Sequence, residues 1–229
     1  MVRRRGVTGK MPVRQRMDER ARGIALRLYP FSETSLIVQW LTPTLGRLAT
    51  VAKGARRPKS PFRGQLDLFY LADFTFTRSR RSELHTLKEV HLLGTYAFLR
   101  QEFGQLRQIS YCAALVEQAT EKETPLPRIF DLMAGLLEYM RGHGPQAQTI
   151  FAFELKLLEE LGLAPELAKA SLSPGARQLA LAVTQSDWPA LSKLKLSAAQ
   201  IQELQQFLHG FLIFHLGKIP KGRGTAING

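Results

Sequence analysis

A β-hairpin is predicted by the stretch Ser35-Leu-Ile-Val-Gln-Trp-Leu-Thr-Pro-Thr-Leu-Gly-Arg-Leu-Ala-Thr-Val-Ala-Lys53. Its two arms, 35–41 and 47–53, are short apolar runs with β-branched residues, which favour strands. Between them, Pro43 and Gly46 mark a tight turn. The stretch therefore indicates a β-domain in this part of the chain.

Three further strands are predicted around this hairpin, over 23–29, 66–77 and 84–92. In the first of them, alternation places Ile24, Leu26 and Leu28 on one face. Five short strands in about 70 residues suit an OB-type barrel, a fold that often binds single strands. An SH3-like barrel has a similar number of strands, and the sequence separates the two poorly.

The segment 53–64 that follows the hairpin carries five cations and no acidic residue. Glycines and prolines interrupt it, so it is predicted to be a bent loop. A second cationic turn, Arg78-Ser-Arg-Arg-Ser82, lies between the last two strands. Cations neutralise phosphates and release counterions, which favours nucleic acid as the partner. The predicted phosphate contacts are Lys53, Arg56, Arg57, Lys59, Arg63, Arg78, Arg80 and Arg81.

Aromatic residues accompany the cations. Phe62 lies in the loop between Pro61 and Arg63 and is predicted to stack on bases, an interaction that tolerates any sequence. Phe74 and Phe76 alternate with threonines and are predicted to be core instead. In an OB barrel the turn before the last strand lies near one end of the binding face, so the two cationic clusters are expected to frame one groove. The competing interpretation of a charge run is a solvated loop.

Charge is distributed unevenly over the 229 residues. Of a formal net charge of +13, residues 1–92 hold 19 Lys and Arg against 7 Asp and Glu, and residues 93–229 hold 13 against 12. A strongly positive balance favours nucleic acid or an anionic surface as partner. The near-neutral second part is typical of a structural or protein-binding domain.

Beyond residue 93 the apolar period changes from two to about 3.6, which predicts an all-helical domain over 94–216. Its main helices are predicted over 103–116, 130–140, 146–161 and 198–216. Ser197 is the predicted N-cap of the last one. Residues 163–190 contain three prolines and are predicted to be irregular with short helical pieces.

Both ends of the chain are basic. Residues 1–22 are predicted to be an extension, either a disordered basic arm or in part the result of a later translation start at Met11 or Met17. Residues 217–229 are predicted to be a basic flexible tail. No apolar run approaches the ~20 residues that a membrane span needs, so no membrane association is expected.

The sequence contains no catalytic motif. A Walker A loop, G-x-G-x-x-G, H-E-x-x-H and G-x-S-x-G are all absent. Asp67 and Asp73 lie six apart and are interpreted as balancing nearby arginines, and the spacing of His209 and His215 is poor for shared metal ligation. Cys112 lies in an apolar helical pattern and is predicted to be buried, as fits a reducing cytosol. Neither enzymatic activity nor a metal or cofactor is expected.

Several separated motifs resemble the RecO family. The stretch Tyr29-Pro-Phe-Ser-Glu-Thr-Ser-Leu-Ile-Val38 is similar to its first hairpin, and Thr42-Pro-Thr-Leu-Gly-Arg-Leu-Ala-Thr-Val-Ala-Lys-Gly-Ala-Arg-Arg-Pro-Lys-Ser60 is the most specific part. The helical matches, in order, are Ser110-Tyr111, Phe130-Asp-Leu132 and the run from Phe153 to Pro165. The resemblance implies an OB-fold β-barrel over 23–93, which binds single- and double-stranded DNA, followed by a helical domain.

The resemblance also implies a function without catalysis, in DNA repair and homologous recombination. A RecO protein anneals complementary strands and, with RecR, helps to load RecA onto strands covered by single-strand-binding protein. The acidic C-terminal tail of that protein docks on the helical domain. Such a mediator is expected to be cytoplasmic and nucleoid-associated.

Two points depart from this family pattern or stay open. Many family members carry a four-cysteine zinc module, but the matching place here, 167–177, has no cysteine, so zinc is not expected. An OB-fold protein that binds RNA or the ribosome would show the same charge and aromatic residues, since the 2′-hydroxyl is recognised by details that the sequence does not reveal. A nuclease lacks its metal ligands.

Overall fold

Five strands form a closed barrel in the first part of the protein. The computed structural model describes residues 18–228. The strands are β1 (Asp18–Pro30), β2 (Leu36–Thr42), β3 (Gly46–Ala52), β4 (Leu71–Thr77) and β5 (Leu84–Gly94). Around the barrel they follow the order β1-β2-β3-β5-β4, and β4 pairs with β1. Only β3 and β5 run parallel among the five neighbouring pairs. This arrangement confirms the predicted OB-type barrel.

Strand β1 begins earlier than the sequence predicts. The predicted extension reaches residue 22, but residues 18–22 already pair with β4 in antiparallel register. Asp18, Arg20 and Arg22 are exposed, as alternation allows for every second residue of a strand. Arg22 forms an ion pair with Asp73 at 2.8 Å. The prediction for residues 1–17 lies outside the described residues.

A bulge in β1 divides its side chains between two cores. The register with β2 shifts between Ala25 and Arg27, which reverses the alternation of faces. Ile24 and Leu26 pack against the helices, whereas Ala25 and Leu28 contribute to the barrel interior. The prediction that Ile24, Leu26 and Leu28 share a face is therefore wrong, because one inserted residue moves the following side chains to the other side.

Aromatic side chains fill the barrel. Trp40 and Phe74 stack with ring centroids 4.3 Å apart, and Phe76 lies 5.9 Å from Phe74. The indole N–H of Trp40 donates to Oγ1 of Thr50 at 2.9 Å, which satisfies its polar atom inside the core. Phe74 and Phe76 are fully buried, as the sequence predicts.

Helices make up the second part of the described chain, after a short 3-10 turn at Ala97–Arg100. They are α1 (Phe103–Ala119), α2 (Pro127–Met140), α3 (Ala147–Glu160), α4 (Pro174–Gln185), α5 (Trp188–Leu191), α6 (Ala198–Leu216) and α7 (Arg223–Asn228). Four of them, α1, α2, α3 and α6, correspond to predicted helices. Ser197 caps α6 as predicted, because its Oγ accepts from the N–H of Gln200 at 3.2 Å while the Gln200 side chain accepts from the N–H of Ser197.

Helix α4 is longer than the short helical pieces that the sequence predicts for this segment. Its twelve residues lie in the segment that the sequence predicts to be irregular. Pro174 occupies the first turn, where it costs no hydrogen bond, and the Oγ of Ser173 accepts from the N–H of Ala176 at 3.2 Å. Pro174, which is predicted to interrupt helical structure, therefore begins a helix.

The C-terminal residues also differ from the prediction. Instead of a flexible tail throughout 217–229, the chain forms α7, and Ala226 and Ile227 are buried. Arg223 forms a buried ion pair with Glu154 at 2.6 Å. Burial alone would lower the pKa of Arg223, but the hydrogen bonds and charge of Glu154 raise it. This pair fastens α7 to α3.

The barrel and the helices share one apolar core, to which Ile24, Leu26 and Leu41 contribute from the strands. Arg47 on β3 adds a polar connection, since its Nε donates to Oγ1 of Thr120, the C-cap residue of α1, at 2.7 Å. A cation is favourable at the C-terminus of a helix. Burial lowers the pKa of Arg47.

A glycine permits the connection between α1 and α2 to cross the barrel. Gly46 has a φ of +65°, and a Cβ added to it would lie 1.8 Å from the carbonyl oxygen of Thr124. Beside it, the N–H of Glu123 donates to the carbonyl of Arg47 at 2.8 Å. The helical part is therefore held against the N-terminal end of β3, and this contact brings Glu123 to the barrel.

Candidate nucleic-acid interface

The basic loop, residues 53–64, is a succession of tight turns between β3 and β4. Four backbone N–H groups donate to the carbonyl three residues earlier, at 3.0–3.3 Å: those of Ala55, Arg57, Ser60 and Arg63. Gly54 has a φ of +70°, which glycine adopts without strain. The loop thus satisfies much of its own backbone hydrogen bonding and has a defined shape.

Two contacts fasten the basic loop to the barrel. The N–H of Arg56 donates to the carbonyl of Thr34 at 2.9 Å, and the Arg56 guanidinium donates to the carbonyl of Ser32 at 3.3 Å. Phe62 is only 6% exposed and packs in the barrel core. The prediction that Phe62 stacks on bases is therefore wrong, because burial in the barrel removes its apolar ring from water and from any ligand.

The cations of the basic loop remain available. All five are exposed: Lys53, Arg56, Arg57, Lys59 and Arg63. Within residues 18–228, none of them has a carboxylate oxygen within 4.0 Å. The Arg63 guanidinium donates to the carbonyl of Pro58 at 3.3 Å, which leaves its charge uncompensated. The loop therefore presents a concentrated positive charge on a fixed support.

The arginine turn, residues 78–82, is arranged differently. Arg78 forms ion pairs with Glu19 at 2.7 Å and with Glu123 at 2.6 Å. Hydrogen bonding to Glu19 raises the pKa of Arg78, and the same contact lowers the pKa of Glu19. Two carboxylates thus pair with Arg78, so we expect it not to contact phosphate. Arg80 and Arg81 are exposed and stay predicted contacts.

A buried histidine positions this turn. His85 stacks on Phe76 with ring centroids 5.3 Å apart. Its Nδ1 accepts from the N–H of Ser79 at 3.2 Å, and its Nε2 lies 3.0 Å from Oε1 of Glu123. Because Nδ1 is an acceptor, the ring proton is on Nε2 and is donated to Glu123. The turn is consequently tied to the connection between α1 and α2.

The two cationic segments lie toward opposite ends of β3. The basic loop follows Ala52, the last residue of β3, whereas the arginine turn precedes Leu84, which pairs with Ala49. Because β3 and β5 are parallel, the turn lies toward the start of β3, and the segments are roughly 10–20 Å apart at ~3.3 Å per residue. They flank the strip of barrel formed by β3 and β5. That the two segments frame one groove stays a prediction.

The exposed aromatic side chains near the cations are not the ones that the sequence singled out. Trp40, Phe69 and the phenylalanines of β4 are buried. Tyr29 and Phe31, at the end of β1 and in the turn after it, are 44% and 56% exposed. The sequence signal for them was their place beside Pro30 and the polar turn that follows, where a strand leaves the barrel.

A cleft of about 390 Å³ opens where α1 and α7 meet the barrel. Three cations contribute to its lining, namely Arg27, Arg107 and Lys221. Arg27 forms an ion pair with Glu117 on α1. The Arg107 guanidinium lies 4.2 Å from the centre of the Phe103 ring. Through Arg27 on β1, the cleft adjoins the outer face of the barrel.

The carboxylates of Asp67 and Asp73 form ion pairs with arginines. Asp67 pairs with Arg100 at 2.5 Å and Asp73 with Arg22 at 2.8 Å, which confirms their interpretation as charge-balancing residues. Hydrogen bonding to Arg22 lowers the pKa of Asp73. Cys112 is buried as predicted, and burial raises the pKa of its thiol. These groups serve the structure rather than chemistry.

Residues 167–177, which match the position of the zinc module in many family members, are held by hydrogen bonds. The Arg177 guanidinium donates to the carbonyl of Ala170 at 3.1 Å and to that of Leu172 at 3.2 Å. The N–H and Oγ of Ser173 both donate to the carboxylate of Glu203. Between residues 18 and 228 there is no group of three metal-ligating side chains. None of the helices between Asp18 and Asn228 has the length and apolar character to cross a membrane.

The strand order and the unpaired cations define an OB-barrel protein with a surface suited to a polyanion. Comparison with known families agrees: the model of the Recombination protein O N terminal domain matches residues 17–96, and that of the C terminal domain matches residues 100–173. The chain belongs to the RecO family.

Curated relatives are similar over the same part of the chain. The DNA repair protein RecO of Rhodopirellula baltica is 35% identical over 142 residues, which are 62% of this chain and 53% of the relative. That of Exiguobacterium sibiricum is 34% identical over 152 residues, 66% of this chain and 60% of the relative. That of Alkaliphilus metalliredigens is 33% identical over 146 residues, 63% and 58%. The chain thus spans just over half the length of these relatives.

Proposed function

We propose that the protein binds DNA through the basic loop and acts in DNA repair and homologous recombination. The observation that carries the proposal is the set of five exposed cations, without a carboxylate partner in the described chain, on a loop fastened to an OB-type barrel. The relatives named DNA repair protein RecO support the repair role.

Charge neutralisation supplies the mechanism. Each phosphate contact releases condensed counterions, so affinity rises with every cation and falls with salt. Two complementary strands repel each other, and a surface that neutralises both lets their bases meet. The defined shape of the loop helps, because less conformational freedom is lost on binding. We infer that the protein binds single- and double-stranded DNA and anneals complementary strands.

Membership in the RecO family supports the proposed partners. With RecR, the protein helps to load RecA onto DNA covered by single-strand-binding protein, and the acidic C-terminal tail of that protein docks on the helical part. A cytoplasmic, nucleoid-associated location belongs to the same proposal. The proposed role requires binding and no catalysis.

Strand annealing tests the proposal. Complementary DNA strands are coated with single-strand-binding protein, either complete or lacking its acidic tail, and duplex formation is followed by fluorescence. We expect the protein to accelerate annealing with the complete form and less with the tail-less form. Absence of annealing with both forms, and with bare DNA, contradicts the proposal.

A competition between DNA and RNA strands of equal length identifies the nucleic acid. The proposed function predicts that unlabelled DNA displaces a labelled DNA strand at least as well as RNA does. A clear preference for RNA would assign the barrel to an RNA- or ribosome-binding protein instead.

A further inference from the structure

Two exposed aromatic rings stand beside the basic loop. Tyr29 is the next-to-last residue of β1 and is 44% exposed, and Phe31 follows Pro30 and is 56% exposed. Exposed rings of this size leave apolar surface in water, which costs free energy in the free protein. A face of each ring is therefore available to a ligand that is itself flat and apolar.

The turn that carries Phe31 is hydrogen-bonded internally and is joined to the basic loop. The N–H of Phe31 donates to the carbonyl of Ser35 at 2.9 Å, and the N–H of Ser35 donates to Oγ of Ser32 at 3.2 Å. The hydrogen bonds from Arg56 to Thr34 and Ser32 link the two segments. The backbone that carries Phe31 is consequently linked to the loop that carries the cations.

Strand register places Tyr29 on the same side of the barrel as the surface between the cations. Leu28 faces the barrel interior, so Tyr29 faces outward. Tyr29 pairs with Ile37, Ile37 with Val51, and Val51 with Thr86. Side chains opposite each other share a face, so Tyr29 begins a row that crosses β1, β2, β3 and β5.

We propose that Tyr29 and Phe31 stack on unpaired nucleobases whose phosphates are bound by the basic loop. The ligand is single-stranded nucleic acid, and the inference rests on the proposed function. In a duplex the base faces are already stacked on their neighbours, so the rings favour unpaired strands. A base stacked on a ring keeps its hydrogen-bonding edge free, which is the state that annealing requires.

Three ligands separate the contribution of the rings from that of the cations. They are an oligo-dT strand of about 16 nucleotides, the upper site size of an OB fold, a strand of the same length with abasic sugars, and the corresponding duplex. All three offer phosphates, but only oligo-dT offers unpaired bases. Affinities are measured by fluorescence anisotropy with the full chain at several salt concentrations.

Replacing Phe31 by alanine is expected to lower the affinity for oligo-dT by about fivefold to 150-fold, the range for one stacked base. Affinities for the abasic strand and the duplex are expected to stay unchanged, as is the salt slope for oligo-dT. Tyr29→Ala should act in the same direction, and Phe31→Trp should retain binding. The matched control is Phe214→Ala, since Phe214 is 82% exposed on α6, in the helical part.

Two results overturn the inference while leaving the proposed function intact. One is an unchanged oligo-dT affinity in both alanine variants. The other is an equal loss on the abasic strand, which would mean that the rings only shape the loop. If the wild-type chain binds none of the three ligands, the proposed function fails together with the inference.

Discussion

Two cationic segments of the barrel look alike in sequence and differ in the folded protein. The basic loop, residues 53–64, presents five cations without a carboxylate partner in the described chain. In the arginine turn, residues 78–82, Arg78 is held by Glu19 and Glu123. The acids come from the start of β1 and from the connection between α1 and α2, and neither reaches the loop. The charge of a segment is thus available to a ligand only where the fold brings no acid to it.

The largest expected effect comes from removing the loop charges. Replacing Lys53, Arg56, Arg57, Lys59 and Arg63 by glutamine should lower the affinity for single-stranded DNA roughly a thousandfold at 0.1 M salt, because each lost contact removes ~0.7 from the salt slope. Anisotropy with oligo-dT measures it. The melting temperature should hardly change, since the side chains are exposed. A loss of less than about tenfold would place the interface elsewhere.

A second effect shows whether Phe62 stabilises the folded protein or contacts DNA. Phe62→Ala is expected to lower the free energy of unfolding by about 3–5 kcal/mol, as for a buried phenylalanine. Urea unfolding gives the value, and Phe62→Leu, which keeps most of the volume, should cost less. Unchanged stability combined with lost DNA affinity would return Phe62 to a stacking role.

A smaller effect is expected at the arginine turn. Arg78→Ala should lower the free energy of unfolding by about 1 kcal/mol, because the ion pairs are partly exposed. DNA affinity should stay close to that of the wild type. Arg81→Ala, which removes an equal charge from the same turn, is the control and should leave stability unchanged. The opposite pattern would make Arg78 the ligand contact.

The smallest effect is a dependence on pH. The hydrogen bond from Arg78 lowers the pKa of Glu19 from its ordinary value of 4.5. The contribution of the Glu19–Arg78 ion pair to the free energy of unfolding is therefore complete above the ordinary pKa of Glu19. It is lost as pH falls through the lowered pKa. Urea unfolding at a series of pH values should show wild type and Arg78→Ala converging in acid. A difference that stays constant down to the acid transition would contradict the assignment.

Much of the fold can be predicted from the sequence because its signals are local. Alternating strands, the turn at Gly46 and the cap at Ser197 lie within a few residues of what they determine. The bulge at Leu26 and helix α7 escaped prediction for the opposite reason. The first depends on pairing with β2, and the second on an ion pair between Arg223 and Glu154, 69 residues apart.

The same difference between local and long-range determinants applies to the candidate site. The cations of the basic loop are visible in the sequence because the segment 53–64 contains five of them and no acidic residue. The pairing of Arg78 is not visible, since Glu19 and Glu123 are 59 and 45 residues away. Phe62 and Phe31 both look like loop aromatics, and only the packing of the loop on the barrel shows which of them is exposed.

The most direct test compares two single substitutions that remove the same charge. The salt dependence of single-stranded DNA binding is measured for the wild type, Arg57→Gln and Arg78→Gln. We expect the log–log slope to fall by about 0.7 for Arg57→Gln and to stay at the wild-type value for Arg78→Gln. Equal slopes for the two variants would contradict this expectation, because the pairing of Arg78 with Glu19 and Glu123 would then have no effect on DNA binding.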